Sequence, residues 1–241
     1  MNKRWILALV IALVCGGLLI WFGVSKNRAA PKQEEATSLK ATNESQSVNV
    51  MGVLSGQNKE HAVEPGDSLT KIARQYGTTV DLLKQLNELQ GDLIRVGRKL
   101  KVPSGKFDVV VTKADNKLEL RLDGKPVKTY SISTGKDNST PTGDFTIVTR
   151  LTHPVWYKTG AVIPPGSADN ILGTRWLGIS SKEHPKGYGI HGTVDPDKIG
   201  QAVTAGCVRM RNEDVEEIYA LLPEGTAVRI VETTEPAQGK S

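Results

Sequence analysis

The first feature of the hydrophobic pattern is an unbroken apolar run close to the N-terminus. Residues 5–24 read WILALVIALVCGGLLIWFGV and contain no charged side chain. A helix of that length spans roughly 30 Å, the thickness of the hydrocarbon core of a bilayer. The run is longer than the apolar region of a cleaved signal peptide, and Arg28 stands where a cleavage site ending at Ala30 needs a small residue. The pattern therefore predicts an uncleaved transmembrane signal-anchor within residues 1–24.

The charges beside this run predict its orientation. Lys3, Arg4 and the terminal amine precede it, whereas Lys26 and Arg28 follow it. The small excess of positive charge on the N-terminal side favours a cytoplasmic N-terminus. We therefore expect a single-pass protein of the cell membrane whose later residues lie outside the cytoplasm, in the periplasm or cell wall.

Polar residues dominate the stretch from residue 25 to residue 60. Ser, Thr, Asn, Gln, Lys and Glu are frequent there, and large apolar side chains are scarce. Such a composition buries too little apolar surface to offset the entropy lost on folding. It predicts a flexible linker over residues 25–60, and we expect residues 233–241 to form a short tail.

Helical periodicity appears between residues 61 and 103. Apolar residues recur at helical spacing in two short runs, which contain Leu69, Ile72, Ala73 and Tyr76 and then Val80, Leu83 and Leu86. Asp67 is suited to cap the first helix and Gly77 to end it. Strand-like segments stand at both ends. The pattern predicts a small α+β domain with the order βααβ over residues 61–103.

From residue 107 to residue 232 the pattern changes to short strands separated by glycine turns. The candidate strands are FDVVVTK, LELRL, PVKTYSIS, Asp144–Arg150, Trp176–Ser180, Gly189–Gly192 and Ala227–Val231. Asp123-Gly124 is a strong hairpin signal between two of them. One helix is expected, from its cap Asn212 to Leu222. The pattern predicts a mainly β domain, a β-rich sandwich or barrel-like fold with one clear helix.

The charge distribution bears on nucleic-acid binding, and the cysteine content bears on the compartment in which the protein works. The formal net charge of +5 is spread along the chain, without an arginine-rich block or interleaved basic and aromatic residues. The sequence therefore indicates no nucleic-acid binding. The two cysteines are Cys15, inside the apolar run, and Cys207, so Cys207 is expected to be an unpaired thiol in an oxidising compartment.

Residues 61–103 carry three segments that indicate a family. They are PGDSL at the first turn, GTTVDLLKQLN in the second helix and GRKLKVP at the end. Together they resemble a LysM module over its whole length. The resemblance implies binding to glycan that contains N-acetylglucosamine, here peptidoglycan. We expect this module to be independent, so that its deletion leaves activity on soluble substrates nearly unchanged.

The clearest chemical candidates are His191 and Cys207. A thiol becomes a strong nucleophile when an imidazole or a positive field stabilises its thiolate. Gly192 and Gly206 flank them, and the backbone N–H groups of Gly206 and Cys207 are candidates for an oxyanion hole. Arg209 is a candidate to pin the loop or to bind a substrate carboxylate. On chemistry alone, a buried inert cysteine and a structural histidine remain the alternative.

The surrounding segments favour the catalytic interpretation. Residues 190–193 read IHGT, residues 204–210 read TAGCVRM, residues 140–145 read TPTGDF and residues 175–179 read RWLGI. Over residues 107–232 the chain resembles the catalytic domain of YkuD-type L,D-transpeptidases. The resemblance implies that Cys207 is the nucleophile, His191 the base and the Gly192 carbonyl the group that orients the imidazole. One departure is Ala205, where many members have a histidine.

The implied reaction is an acyl transfer that needs no cofactor. Cys207 attacks the carbonyl of the third residue of a peptidoglycan tetrapeptide stem, D-alanine leaves, and an amine of a neighbouring stem completes a 3–3 crosslink. Attack by water instead would make an L,D-carboxypeptidase. A chain that uses only its LysM module would be a non-catalytic wall-binding scaffold, although a scaffold needs neither His191 nor Cys207.

Several other residues have less specific interpretations. Trp156, Tyr157, Trp176 and Tyr188 are expected either to pack in the core or to line a substrate groove, and Trp176 and Tyr188 are the substrate-binding candidates. Residues 164–172 are predicted to form a long loop suited to act as a lid. His153 and His184 lack the spacing of zinc motifs, so no metal site is predicted.

Overall fold

The structure, a computed structural model, describes residues 50–56 and 58–233. The predicted signal-anchor of residues 1–24, most of the predicted linker and the tail from residue 234 lie outside these residues. Within them, no helix is both long enough and apolar enough to cross a membrane.

The described chain begins with helix α1 (Val50–Ser55), which precedes a small module of residues 58–103. The small module consists of strand β1 (Asn58–Ala62), helix α2 (Leu69–Gln75), helix α3 (Val80–Leu86) and strand β2 (Lys99–Pro103). The two strands pair antiparallel over a buried core that includes Ile72 and Leu83. This is the predicted βααβ order. The cap of α2 is Ser68 rather than Asp67, because the Ser68 hydroxyl accepts the hydrogen bond from the N–H of Lys71.

The β domain, residues 107–232, is built around one eight-stranded sheet. Its elements in chain order are β3 (Phe107–Thr112), β4 (Lys117–Leu122), β5 (Lys125–Ser131), β6 (Thr134–Gly135), β7 (Gly143–Thr152), β8 (Trp156–Lys158), β9 (Ala161–Ile163), β10 (Arg175–Ser180), β11 (Tyr188–His191), β12 (Ala202–Thr204), β13 (Val208–Arg209), helix α4 (Asn212–Leu221) and β14 (Ala227–Val231). The order across the sheet is β13-β11-β10-β7-β14-β3-β4-β5, and β6–β12 and β8–β9 form separate pairs. Single-turn 3₁₀ helices occur at Lys136–Asn138 and Pro196–Lys198.

The large sheet curls until its two edges meet. Ser133, just after β5, exchanges two backbone hydrogen bonds of 2.8 and 2.9 Å with Arg209 on β13. The β4–β5 turn has positive φ angles of 49° at Asp123 and 74° at Gly124, as the Asp-Gly pair predicts. The prediction of a mainly β domain is confirmed, and the meeting of the edges makes the sheet barrel-like.

The small module and the β domain share a core at helix α4. Leu82 of α3 is 0% exposed and belongs to the core of the β domain, whereas its neighbour Leu83 belongs to the core of the small module. The Thr79 hydroxyl donates a hydrogen bond to the Ala220 carbonyl of α4. Removing the small module would therefore expose part of the β domain, which argues against the expected independence of the two parts.

Helix α1 corrects the end of the predicted linker. Val50 and Leu54 are buried in the core of the β domain, where α1 packs against β5. A six-residue helix is unstable in isolation, so tertiary burial rather than local propensity holds it in place. Strand β1 then starts at Asn58. Residues 50–56 and 58–60 are therefore structured and are not part of a linker.

Candidate active site

Strand pairing brings His191 and Cys207 to one cavity. His191 is the last residue of β11, which runs parallel to β13 with Ile190 opposite Val208. Cys207 comes immediately before β13 and therefore lies beside Gly189 of β11. The side chains of His191 and Cys207 both line a cavity of about 460 Å³. The two residues that the sequence singles out are thus brought together.

The imidazole of His191 is held in one tautomer. Its Nδ1 lies 2.6 Å from the Gly192 carbonyl oxygen, which can only accept, so Nδ1 carries the proton. Nε2 is then the unprotonated nitrogen. Burial lowers the pKa of His191 to about 4; the Gly192 hydrogen bond opposes this shift and the charge of Arg209 adds to it. The imidazole is therefore neutral near pH 7, as a general base must be.

A tryptophan ring supports the imidazole. Trp176 on β10 is the cross-strand partner of His191, and the two rings stack with centroids 5.7 Å apart and planes 22° apart. The indole lies over Gly178 and Gly189, where a Cβ atom would come within 2.9 and 2.5 Å of it. Glycine at these two positions therefore makes room for the ring. Trp176, a substrate-binding candidate, lines the cavity and also forms a wall behind His191.

Cys207 carries a free thiol that is partly exposed in the cavity. Its Sγ lies 3.7 Å from the Gly187 carbonyl oxygen. Burial raises the pKa of the thiol, and a backbone hydrogen bond from Gly189 and the charge of Arg209 oppose that rise. The resting pair is therefore a neutral thiol and a neutral imidazole. A thiolate requires a base for the thiol proton, and the unprotonated Nε2 of His191 belongs to a side chain that lines the same cavity.

Two threonine hydroxyls hold the loop that carries Cys207. Thr204 Oγ1 donates to the Cys207 carbonyl at 2.6 Å and accepts from the Gly206 N–H at 3.2 Å. Thr140 Oγ1 donates to the Gly206 carbonyl at 3.0 Å. Gly206 has a φ of 128°, and a Cβ atom there would lie 2.9 Å from the Tyr188 ring. Both its conformation and its surroundings require glycine.

These contacts revise the predicted oxyanion hole. The N–H of Gly206, one of the two predicted donors, is already bonded to Thr204. The N–H of Cys207 has no acceptor in the part of the chain that the structure describes. The Cys207 N–H is thus the donor available to an oxyanion, and Gly206 supplies the turn that presents it.

Asn212 is not the helix cap that the sequence predicts. The cap position of α4 is Arg211, and the Asn212 side chain makes tertiary contacts instead. Its Oδ1 accepts from the N–H groups of Thr174 and Thr193, each at 3.1 Å, and its Nδ2 donates to the Thr193 carbonyl at 2.9 Å. The side chain ties the start of α4 to the residue that follows Gly192.

The cavity walls are largely apolar and hold one permanent charge. The lining residues are Leu151, Pro154, Val155, Trp156, Tyr157, Ile171, Leu172, Trp176, Gly187, His191, Thr204, Ala205, Cys207 and Arg209. Of these, Arg209 alone is permanently charged, and its Nε is buried without a hydrogen-bond partner within the described residues. A guanidinium in such surroundings favours a carboxylate ligand. Tyr188 is not in the lining, because its ring packs behind Gly206. This substrate-binding candidate therefore supports the loop that carries Cys207.

One wall of the cavity is a hairpin that the sequence analysis did not predict. Strands β8 and β9 form it, and it carries Trp156 and the exposed Tyr157. Buried Asn170 joins the two ends of this segment, because its Nδ2 donates to the carbonyls of Pro154 at 2.9 Å and Pro164 at 3.1 Å. The predicted lid loop of residues 164–172 therefore follows a hairpin that is fixed at its base.

The remaining histidines take no part in this cavity. His184 stacks against Phe145 with ring centroids 6.0 Å apart, and neither it nor His153 lines the cavity. Across residues 50–56 and 58–233, no three His, Cys, Asp or Glu side chains are grouped so as to hold a metal ion. Within the cavity, His191 and Cys207 together offer an imidazole and a thiol, the groups needed for proton transfer between them.

Sequence reasoning missed three side chains that hold the site, namely Thr140, Thr204 and Asn212. Thr140 reaches a residue 66 positions away and Asn212 one 38 positions away. No local pattern indicates such contacts. The available signal was the position of both threonines within the segments that carry the family resemblance.

Comparison with known proteins assigns both parts of the chain. A family model described as the L,D-transpeptidase catalytic domain (YkuD) matches residues 106–230, just over half of the chain. A LysM domain model matches residues 61–103, within the small module.

Individual relatives carry the same description. The putative L,D-transpeptidase YqjB of Bacillus subtilis is 40% identical over 126 residues, which cover 52% of this chain and 70% of that protein. The putative L,D-transpeptidase YkuD of Bacillus licheniformis is 35% identical over 178 residues, which cover 70% of this chain and 97% of that protein. The crystal structure of L,D-transpeptidase 3 from Mycobacterium tuberculosis with a faropenem-derived adduct matches at 17% identity and a TM-score of 0.44, over 57% of this chain and 66% of that one. The sequence matches are the informative ones.

Proposed function

Because the chain belongs to the L,D-transpeptidase family, we propose that it forms 3–3 crosslinks in peptidoglycan through an acyl-enzyme on Cys207, with His191 as the base. The fixed tautomer of His191 carries this proposal. The Gly192 carbonyl holds Nδ1–H, so Nε2 is the atom left to take the thiol proton within the shared cavity.

The first half-reaction transfers the acyl group to the protein. Cys207 Sγ attacks the carbonyl carbon of the third stem residue while its proton moves to His191 Nε2. The negative oxygen of the tetrahedral intermediate is placed at the Cys207 N–H. The proton then passes to the leaving nitrogen, the C–N bond breaks and D-alanine departs, which leaves a thioester. The face of Trp176 stabilises the imidazolium that exists between the two proton transfers.

The second half-reaction releases the crosslinked product. An amine of a neighbouring stem attacks the thioester, His191 accepts one of its protons, and the new amide forms as the C–S bond breaks. The proton returns to Sγ and restores the thiol. If water attacks instead, the product is a shortened stem with a free carboxylate, which is the L,D-carboxypeptidase reaction.

The chemistry of the cavity supports a peptide donor. The residue directly after the scissile bond is the terminal D-alanine, which carries a carboxylate. Arg209 supplies the one permanent positive charge of the lining and is suited to bind that carboxylate. The apolar walls, including Trp156, offer few hydrogen-bonding groups to water beside the thioester. The LysM match supports glycan binding by the small module, which raises the local concentration of stems at the cavity.

We also propose that residues 5–24 anchor the protein in the cell membrane, with both folded parts outside the cytoplasm. The support is the length and apolarity of that run. Cell fractionation tests this: the full chain should sediment with membranes, and a chain that lacks residues 1–24 should not. Equal amounts of both in the soluble fraction would contradict the anchor.

The test of the reaction is product analysis by mass spectrometry. We expect the full chain, incubated with disaccharide-tetrapeptide, to release D-alanine and to form dimers that have lost one alanine. Cys207→Ala and Cys207→Ser should form neither product. Tripeptides without dimers would support the carboxypeptidase instead, unchanged substrate would support a scaffold, and turnover by Cys207→Ala would refute the role of Cys207.

A further inference from the structure

The carboxamide of Asn212 links three backbone segments, namely the start of α4 and the segments at Thr174 and Thr193. Its Oδ1 accepts hydrogen bonds of 3.1 Å from the N–H groups of both Thr174 and Thr193, and its Nδ2 donates to the Thr193 carbonyl at 2.9 Å. The space around Oδ1 is made by two glycines, because a Cβ at Gly173 or Gly192 would lie 2.3 or 2.1 Å from it. Two backbone positions without side chains thus accommodate this one amide.

The bond to Thr193 N–H is the informative one, because of the peptide unit to which it belongs. The C=O of Gly192 and the N–H of Thr193 are the two ends of a single planar peptide group. The carbonyl end accepts the Nδ1–H of His191 at 2.6 Å, and the N–H end donates to Asn212. If that plane turned, both bonds would break. Asn212 therefore fixes the orientation of the carbonyl that selects the His191 tautomer.

We propose that Asn212 is the positioning residue for His191 and that it acts through the Gly192–Thr193 peptide. The third side chain of a Cys–His triad has the same role but contacts the imidazole directly. The inference rests on the proposed function of Cys207 and His191. In a triad the third group holds the imidazole in the productive tautomer and orientation. Here a backbone carbonyl contacts the imidazole, and Asn212 supplies the restraint from the far side of the same peptide.

A purely structural role in capping α4 does not account for these contacts. Arg211 occupies the cap position, and Asn212 is the first residue of the helix itself. All three strong bonds of the Asn212 amide go to Thr174 and Thr193, outside α4. A side chain that served only to start the helix would bond to the N–H groups of its first turn.

The test uses the full chain, and its primary measurement is the ¹⁵N NMR signature of the His191 ring, assigned by its absence in His191→Gln. The wild type should show the Nδ1–H tautomer. Asn212→Ala should show a mixture of tautomers and a kcat lower by roughly 10- to 100-fold with little change in KM. Asn212→Asp, which keeps an acceptor oxygen for Thr193 N–H, should restore the Nδ1–H tautomer and raise the pKa of His191, since a negative charge behind the peptide favours the imidazolium.

Asn87 provides a matched control in the small module. Its amide also accepts from one backbone N–H, that of Lys101 at 2.7 Å, and donates to two backbone carbonyls. Asn87→Ala removes a comparable set of amide–backbone hydrogen bonds and should leave the His191 tautomer and kcat on soluble stems unchanged.

The outcomes separate this inference from the proposed function. If Asn212→Ala keeps the wild-type tautomer and loses no more kcat than Asn87→Ala, Asn212 is not a positioning residue. If Asn212→Ala does not fold, Asn212→Asp decides, because an unshifted His191 pKa in that variant would refute the inference. If the wild type itself shows no turnover, the proposed function fails, while the NMR signature still decides the role of Asn212.

Discussion

The hydroxyl of Thr204 offers a sharp test of how the loop that carries Cys207 is held. Replacing Thr204 with Val keeps the shape of a β-branched strand residue and removes only the hydroxyl. The two hydrogen bonds lost are those to the Cys207 carbonyl at 2.6 Å and from the Gly206 N–H at 3.2 Å. Thr204→Ser is the matched control, because it keeps the hydroxyl and removes the methyl group.

The expected size of the effect follows from these two bonds. A hydrogen bond contributes about 0.5–1.5 kcal/mol net, so their loss should lower the free energy of unfolding by about 1–3 kcal/mol. Because the freed Gly206 N–H and Cys207 carbonyl lie on either side of the Cys207 N–H along the chain, this N–H should also lose its fixed direction. We expect the rate of acyl-enzyme formation to fall roughly 10- to 100-fold in Thr204→Val.

Urea unfolding and the single-turnover release of D-alanine measure the two effects. Thr204→Ser should lie close to the wild type in both. If Thr204→Val acylates as fast as Thr204→Ser, the hydroxyl does not position the loop.

Two further predictions concern packing and protonation. Leu82→Ala should lower the free energy of unfolding of the β domain by about 2–5 kcal/mol, because the fully buried Leu82 side chain lies in the core of that domain. Faster hydrogen–deuterium exchange in α4 would measure the loss. If α4 exchanges no faster in Leu82→Ala than in Leu83→Ala, the two parts do not share a core. Because burial lowers the pKa of His191 from 6.5 to about 4, the folded protein binds fewer protons than the unfolded chain between those values. On acidification from pH 6.5 to 4 the wild type should therefore lose up to about 3 kcal/mol more stability than His191→Gln, measured by urea unfolding at each pH; parallel losses would show that His191 titrates normally.

The parts of the fold that follow local rules could be predicted from the sequence. The βααβ order of the small module, the Asp123-Gly124 hairpin and helix α4 all have local periodicity or turn chemistry, and the structure contains each of them. Helix α1 could not be predicted in this way. Its apolar residues stand in a polar stretch, and only burial against β5 gives them a partner.

The site shows the same division between local and long-range information. His191 and Cys207 stand out through their chemistry and the family segments, and the parallel pairing of β11 with β13 brings them together. Asparagine is a common residue type at helix caps, yet the Asn212 amide bonds to residues distant in sequence. The commitment of the Gly206 N–H to Thr204 depends on the path of the loop, which the residue types alone do not specify.

The acyl-enzyme itself is the most direct test of the central claim. A tetrapeptide donor whose amines are blocked supplies the acyl group and no acceptor, so an acid quench within the first turnover should trap the thioester. Intact mass spectrometry should show a mass increase of the full chain equal to the mass of one donor minus that of one alanine. After digestion with trypsin, this added mass should lie on the peptide of residues 199–209, which contains Cys207. Hydroxylamine should remove the adduct, as it does a thioester. An adduct that persists in Cys207→Ala, or release of D-alanine without any adduct on that peptide, would contradict the account.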